Sequence, residues 1–353
     1  MLSRVANTLY WMLRYIERAD NLARLIDVNQ QQLLDSERLD SERLREYWRP
    51  IILCTGDEET FDKVYEQAGS HEVIRFLTDD PNNPNSIVSC IALARENARM
   101  VRDQLSDDLW QELNDLYHFS RSQEASVLAS IDPSRFYQNI RRAAFTINGI
   151  ATSTMRRSQS WEFMDLGRQL ERADKTTRFL DISSYLSPER DAPENGANKA
   201  ATLHWTAILR SCGAIGAFRA ARLAFTPKEV IRFLVFSDDF PRSVRYCVDR
   251  IDVSLHRVSG TPRGSYSNTA EQICGKLLAE LNFGSPDDVF DAGLHDYLDK
   301  MQMLFNQIGD EIFQTYVLMP DKILPGPASL PEPSFASHAT TGAEAQMQQQ
   351  QQQ

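Results

Sequence analysis

The sequence predicts an all-α, multi-helix protein built from two internal helical repeats of about 155 residues, and three observations carry that expectation. Apolar residues recur at spacings of three and four almost everywhere, glycine is only 15 of 353 residues, and no stretch alternates long enough for a sheet. The hexapeptide Glu72-Val-Ile-Arg-Phe-Leu77 returns unchanged as Glu229-Val-Ile-Arg-Phe-Leu234. A charged helical pattern near the start returns as well. A shift of 154 positions carries Arg14, Glu17, Arg18, Ala19, Asp20, Arg24 and Asp27 onto Arg168, Glu171, Arg172, Ala173, Asp174, Arg178 and Asp181. The repeats are assigned to residues 1–155 and 156–318, followed by a tail at 319–353 that composition marks as disordered.

The first helix is expected from Leu2 to about Leu34, a span unbroken by Gly or Pro. On a helical wheel Arg14, Glu17, Asp20, Asn21, Arg24 and Asp27 share one side, with Arg18 at its edge. The opposing apolar arc, which includes Leu9, Met12, Ile16, Leu22 and Ile26, is wide enough for a helix packed on more than one side. Spacing allows pairs within the helix, Arg14 with Glu17, Arg24 with Asp27 and Asp20 with Arg24. One expectation is therefore a solvated face laced with weak ion pairs. Duplication supports another, in which both helices face an interface and their charges form a partly buried layer that fixes register or binds a charged partner.

Asp35 to Arg43 is a polar connection or helix end. From Trp48 onward the shift becomes 157, matching Trp48 to Trp205, Ile51 to Ile208, Gly56 to Gly213 and Phe61 to Phe218. The three extra residues fall in a turn-rich linker at 187–199. Gly213 and Gly216 are expected inside a helix, at a point where small residues let a neighbour approach. Pro84-x-Ser86-x-x-x-Cys90 matches Pro241-x-Ser243-x-x-x-Cys247, and each proline is expected in a helical first turn. The helix after Pro84 carries Arg95, Glu96, Asn97, Arg99 and Arg102, which have no counterpart in the second half; they form either a single ligand site or a solvated amphipathic face. Further helices are expected over Arg135–Met155 and Met301–Val317, and then five prolines and six terminal glutamines mark the tail.

Forty-two percent hydrophobic and 25 percent charged residues describe a soluble globular chain. The net charge of −11 disfavours nucleic acid or an anionic membrane as a general partner. Five cysteines without C-x-x-C spacing fit free thiols in a reducing compartment. No apolar run of signal-peptide or membrane-span type occurs, so a cytoplasmic location is expected. The six histidines show no metal spacing, no phosphate-binding or nucleophile-elbow motif is present, and no cofactor is implied. Cys90 and Cys247 are expected as small buried hydrophobes and His204 as a packed or capping side chain. Glu17 and Glu171 would make an acid/base pair only if the halves brought them together, and their neighbouring arginines favour plain carboxylates.

Three motifs in order, Tyr10-Trp-Met-x-Arg-Tyr-x-Glu-Arg-Ala19, Ala94-Arg-Glu-Asn-Ala-Arg99 and Leu166-Gly-Arg-x-Leu-Glu-Arg-Ala-Asp174, resemble the alpha-E family of bacterial proteins over about residues 1 to 318. The resemblance implies an all-helical fold whose Glu-Arg motif maps to Glu17 and Arg18, with a second copy at Glu171 and Arg172. It also implies company: a circularly permuted ATP-grasp ligase, often a transglutaminase-like protein, sometimes a proteasome-related peptidase. One departure is Leu13, where the second copy keeps Gly167. If the backbones approach closely there, the first half must open or repack.

The candidate binding set is therefore Arg14, Glu17, Arg18, Arg24, Arg168, Glu171, Arg172 and Arg178, with Arg95, Glu96 and Asn97. Three functions use it differently. An accessory module would bind the ligase or its peptide substrate; an enzyme would grip an amino-acid or peptide carboxylate through arginine forks and act on it; a homo-oligomer would use it structurally. Concavity separates them, since an enzyme needs a pocket into which the charges converge.

Overall fold

The computed structural model describes residues 3–34, 41–185 and 197–318. The expected linker at 187–199 lies outside them except for 197–199, which begin a helix, and the tail lies outside them entirely. Among the described residues every regular element is helical. In the N-terminal part these are α1 (Ser3–Leu34), α2 (Ser41–Thr55), α3 (Glu58–Val64), α4 (Ser70–Thr78), α5 (Ile87–Met100), α6 (Asp107–Ser120), α7 (Gln123–Ile131) and α8 (Pro133–Thr154). The C-terminal part contributes α9 (Gln159–Tyr185), α10 (Ala197–Ser211), α11 (Ile215–Ala220), α12 (Pro227–Ile231), α13 (Val244–Ser259), α14 (Thr269–Phe283), α15 (Pro286–Ala292) and α16 (Leu294–Phe313).

Helices α1 and α9 form the centre. They run side by side in the same direction, so that Tyr10 meets Gly167 and the Arg14–Arg18 turn meets Glu171 and Arg172. Helices α5 and α8 flank α1, while α13 and α16 flank α9. The second helix of each part crosses over: α2 packs on α9 and α10 packs on α1. Each central helix is thus enclosed on several sides, which is what the wide apolar arc of α1 requires. Leu9, Met12, Ile16, Leu25 and Ile26 are all buried, and they join one continuous apolar cluster that spans the α1–α9 contact.

Local chemistry sets the helix starts. Ser86 and Ser243 cap α5 and α13, each hydroxyl accepting a hydrogen bond from the backbone N–H three residues on, at Ser89 and Tyr246. Pro84 and Pro241 therefore stand before the caps, in turns, and not in the helical first turn expected for them. The repeated hexapeptide buries Val73, Phe76 and Leu77 in one place and Val230, Phe233 and Leu234 in the other. Its backbone differs between the two: the first copy lies within α4, whereas the second leaves α12 for a π-helical turn at Arg232–Phe236. Gly213 is not inside a helix. It breaks α10 from α11 at φ +65°, and Gly56 stands after α2 at φ +78°, both in the left-handed region open to glycine.

The tightest approach in the core is between the central helices. A β-carbon on Gly167 would stand 2.0 Å from the Tyr10 carbonyl oxygen, a backbone atom that cannot swing aside. Leu13, at the matching place on α1, is fully buried, so only one of the two related positions keeps the glycine contact. Gly167→Ala must push α1 and α9 apart across the charged layer that follows. We expect it to destabilise by about 3 kcal/mol or more, at the upper end of overpacking costs, measured as a shift in the urea midpoint. Wild-type stability in this variant would mean that the helices are not held at that spacing.

Candidate functional site

One helical turn beyond Gly167, four side chains interlock between α1 and α9. The Glu17 carboxylate receives a two-pronged bond from Arg172, whose Nε and Nη2 donate at 2.9 and 2.8 Å. In the reciprocal pair, Arg18 donates to Glu171 through Nε at 2.6 Å and Nη2 at 3.0 Å. The residues related by the 154-position shift thus exchange partners across the contact. Neither carboxylate is left with a single cation. Glu171 also receives Arg14 Nε at 2.7 Å and has the Lys175 ammonium at 3.8 Å, while Glu17 has Arg242 at 2.9 Å. Both glutamates are fully buried, a placement tolerable for a charge only when it is paired and hydrogen-bonded. Of the pairs expected within α1, only Asp20 with Arg24 forms, at 2.8 Å; Arg14 turns to Glu171, and Asp27 takes Arg141 and Gln31. The solvated-face expectation is therefore replaced by the buried layer.

The layer continues one turn further on each helix. Arg24 rests against Gly213 and Arg178 against Gly56, where a β-carbon would lie 3.0 and 3.4 Å from the guanidinium. Each arginine grips the aspartate four residues before it, Asp20 or Asp174. Arg168 departs from the pattern of Arg14: it pairs with Asp165 and donates to Asn148 at 3.2 Å, whereas Arg14 reaches Glu171, although each lies over a tryptophan, Trp161 at 5.7 Å and Trp11 at 4.9 Å. Arg95 turns outward to α6, over Trp110 and Tyr117 and against Asn114, and Glu96 bridges Arg95 and Arg99 at the surface. Asn97 is half-buried on the same helix. These three contribute no contact to the Glu17–Glu171 layer, so the structure separates two groups that an enzymatic use of the whole set would need together.

The decisive difference between the two ends of the layer lies in residues that the sequence reading did not single out. Beside Glu17, Arg242 inserts its guanidinium and donates to Asp20 at 2.6 Å and Asn21 at 2.8 Å. Beside Glu171, the residue matching Arg242 is Asn85, and the residue matching Asn21 is Lys175. Lys175 stands 3.2 Å from Asp174, so the cation comes from the central helix and the asparagine from the loop before α5. Asn85 is short. It accepts from Arg18, donates to Asp57 at 2.6 Å, and leaves a cavity of about 170 Å³ lined by Arg14, Arg18, Lys175, Arg178, Asp57 and Asp174. Four cations thus face three carboxylates there, counting Glu171 at the base. The swap of asparagine and cation was legible in the aligned halves, but only contact shows that Arg242 occupies one end and that a cavity lies at the other.

Protonation follows the same geometry. Burial acts to raise the Glu17 pKa, but Arg172 and Arg242 outweigh it and hold the carboxyl down to about 2. Burial likewise opposes ionisation of Glu171, yet Arg18, Lys175 and Arg14 hold it far below the ordinary carboxylate range. Both remain plain carboxylates, unsuited to donate or accept a proton near neutrality. All five thiols are buried, and burial pushes Cys54, Cys90, Cys212 and Cys247 up to about 12. His204 is buried as well, and burial lowers its pKa to about 4. Among the described residues no cluster of metal-ligating side chains occurs, and no helix is long and apolar enough to cross a membrane.

Because the folded pKa of Glu17 lies below its unfolded value of about 4.3, its contribution to stability is complete above that pH and is lost as pH falls toward about 2. We expect Glu17→Gln to be less stable than wild type at pH 7 by about 3 kcal/mol, since it leaves Arg172 without its carboxylate and takes from Arg242 one of its two, Asp20 remaining. The deficit should shrink between pH 4.5 and 2, which denaturant midpoints at several pH values will show. A deficit independent of pH would assign the loss to packing. The native protein should also leave all five thiols unlabelled by a thiol reagent at pH 8 and yield them on denaturation.

Comparison with known proteins agrees with this architecture. Uncharacterized proteins of mycobacteria, Mb2597 of Mycobacterium bovis and Rv2567 of Mycobacterium tuberculosis, are each 24% identical over 346 residues, covering 91% of this chain. This chain spans only 38% of the length of those relatives. No solved structure matches it. The family Alpha-E, described as a predicted alpha-helical domain with a conserved ER motif, matches residues 1–317. With its Glu-Arg pairs interlocked between two central helices, this chain belongs to the Alpha-E family.

Proposed function

We propose that this protein is an accessory binding module of an ATP-grasp type ligase, made of two facing repeats, and that its open cavity holds the carboxylate of an amino acid or peptide for that ligase. The observation that carries this reading is the asymmetry of the layer. Beside Glu17 stands the long side chain of Arg242, while the end beside Glu171 has the short Asn85 and a cavity in which Arg14, Arg18, Lys175 and Arg178 converge. Arginine and lysine around a partly desolvated space favour a carboxylate, which accepts several charge-assisted hydrogen bonds at once. The ligase setting rests on the family resemblance, with a transglutaminase-like protein or a peptidase as further partners. The mycobacterial relatives, of whose length this chain spans 38%, have room for a further domain beside one of this kind. A module fits better than an enzyme because the carboxylates around the cavity are committed: Glu171 and Asp174 to cations and Asp57 to Asn85.

The test exchanges the two ends. In the double variant Asn85→Arg with Lys175→Asn, net charge is conserved and the Asn21–Arg242 arrangement is recreated beside Glu171. Titration calorimetry with N-acetylglycine should show saturable binding to wild type and at least a tenfold loss in the variant, the scale of one charged hydrogen bond. Its melting temperature should stay near wild type. Undiminished binding would overturn the assignment of the cavity, and recovery of the protein from its native cell without a ligase would overturn the accessory role.

A further inference from the structure

A second cavity, of about 500 Å³, adjoins the first and shares Arg14 and Asn306 with it. Its character is different. Tyr10, Trp11, Phe163, Ile312 and Phe313 give it an aromatic and aliphatic lining, and it lies between the start of α1 and the end of α16. Arg14 is the hinge between the two spaces: its guanidinium stacks on Trp11 at 4.9 Å, accepts the Tyr10 side chain as neighbour by donating to its hydroxyl at 2.6 Å, and reaches Glu171 at 2.7 Å. Asn306 is exposed and, with Arg14, stands on the linings of both cavities, which therefore lie side by side at the surface. Gly309 lines the larger cavity, close to Leu170, the Tyr10 hydroxyl and Arg14.

From this adjacency we infer that the two cavities form one composite site for the C-terminal end of a peptide whose last residue is large and apolar, with the carboxylate beside Lys175 and Arg18 and the terminal side chain against Trp11 and Phe163. The inference rests on the carboxylate assignment made above and adds the identity of the group next to it. Charge complementarity orients the ligand, because a carboxylate is disfavoured in the apolar cavity and an aromatic ring is disfavoured among the desolvated cations. The apolar space then selects by buried area. It has room for a phenyl or indole ring and gives nothing to a terminal glycine.

N-Acetylglycine and N-acetylphenylalanine separate the two levels of the argument, with phenylacetamide as the uncharged control, each titrated into the full chain by calorimetry. N-Acetylphenylalanine should bind at least about tenfold more tightly than N-acetylglycine, the effect of burying part of a ring. Asn7→Trp, a half-buried position on the cavity wall, should reduce that preference to near one while leaving N-acetylglycine binding unchanged. Equal affinities in the wild type would overturn the composite site and leave the carboxylate pocket standing. Binding of phenylacetamide as tight as N-acetylphenylalanine would also overturn it, by making the apolar cavity an independent site. Failure of both acids to bind would remove the underlying carboxylate reading itself.

Discussion

Two glutamates buried between parallel helices set the terms for the rest of this molecule. A carboxylate removed from water is costly unless cations and hydrogen bonds replace its hydration, and here each glutamate obtains them from the opposite helix. Glu17 depends on Arg172 and Glu171 depends on Arg18, so neither helix can slide by a turn without stranding both charges. Apolar packing alone tolerates such slips more easily, because one Leu resembles another. The charged layer therefore specifies register, and Gly167 specifies distance by letting the α9 backbone lie against the Tyr10 carbonyl. Both constraints act at neighbouring turns, where a small change in spacing is felt at once by four hydrogen-bonded side chains.

Within that frame the two ends of the layer have been put to different uses. The same pair of residue types, one asparagine and one cation, serves both glutamates, but the positions are exchanged. Where the cation comes from the loop before α13, its long side chain fills the space beside the central helices. Where it comes from α9 itself, the loop residue is short and the space is left open. Both arrangements supply cations to their glutamate, and the one with the short loop residue has a cavity of about 170 Å³ beside it.

Much of the architecture was legible in the sequence because periodicity and self-similarity are local signals. Helix type, the span of α1 and the burial of Cys90 and Cys247 follow from apolar spacing and repetition. The charged residues of α1 and α9 stood out because repeated charge is rarer than repeated Leu. Their partners were not legible, since Arg14 is three residues from Glu17 yet binds Glu171, and spacing along one helix says nothing of a helix 157 positions away. Arg242, Asn85 and Lys175 were missed for the same reason: each is unremarkable in its own segment and gains meaning only from what it faces. Arg95 and Glu96 misled in the opposite sense, as a dense polar run that pairs within its own surface.

The crossing of α2 onto α9 and of α10 onto α1 bears on how the chain reaches this state. During synthesis α1 is made well before α9 and α10, with an apolar arc on several sides, and the helix that covers one of those sides ends at Ser211. Until then part of the α1 surface stays open to water or to chaperones, and until α9 has been made Glu17 has no arginine from that helix. The closing contacts join positions more than 150 residues apart, which makes loop closure slow relative to helix formation. The N-terminal part thus lacks the helices that pack its centre until the C-terminal part has been made, and the two complete each other.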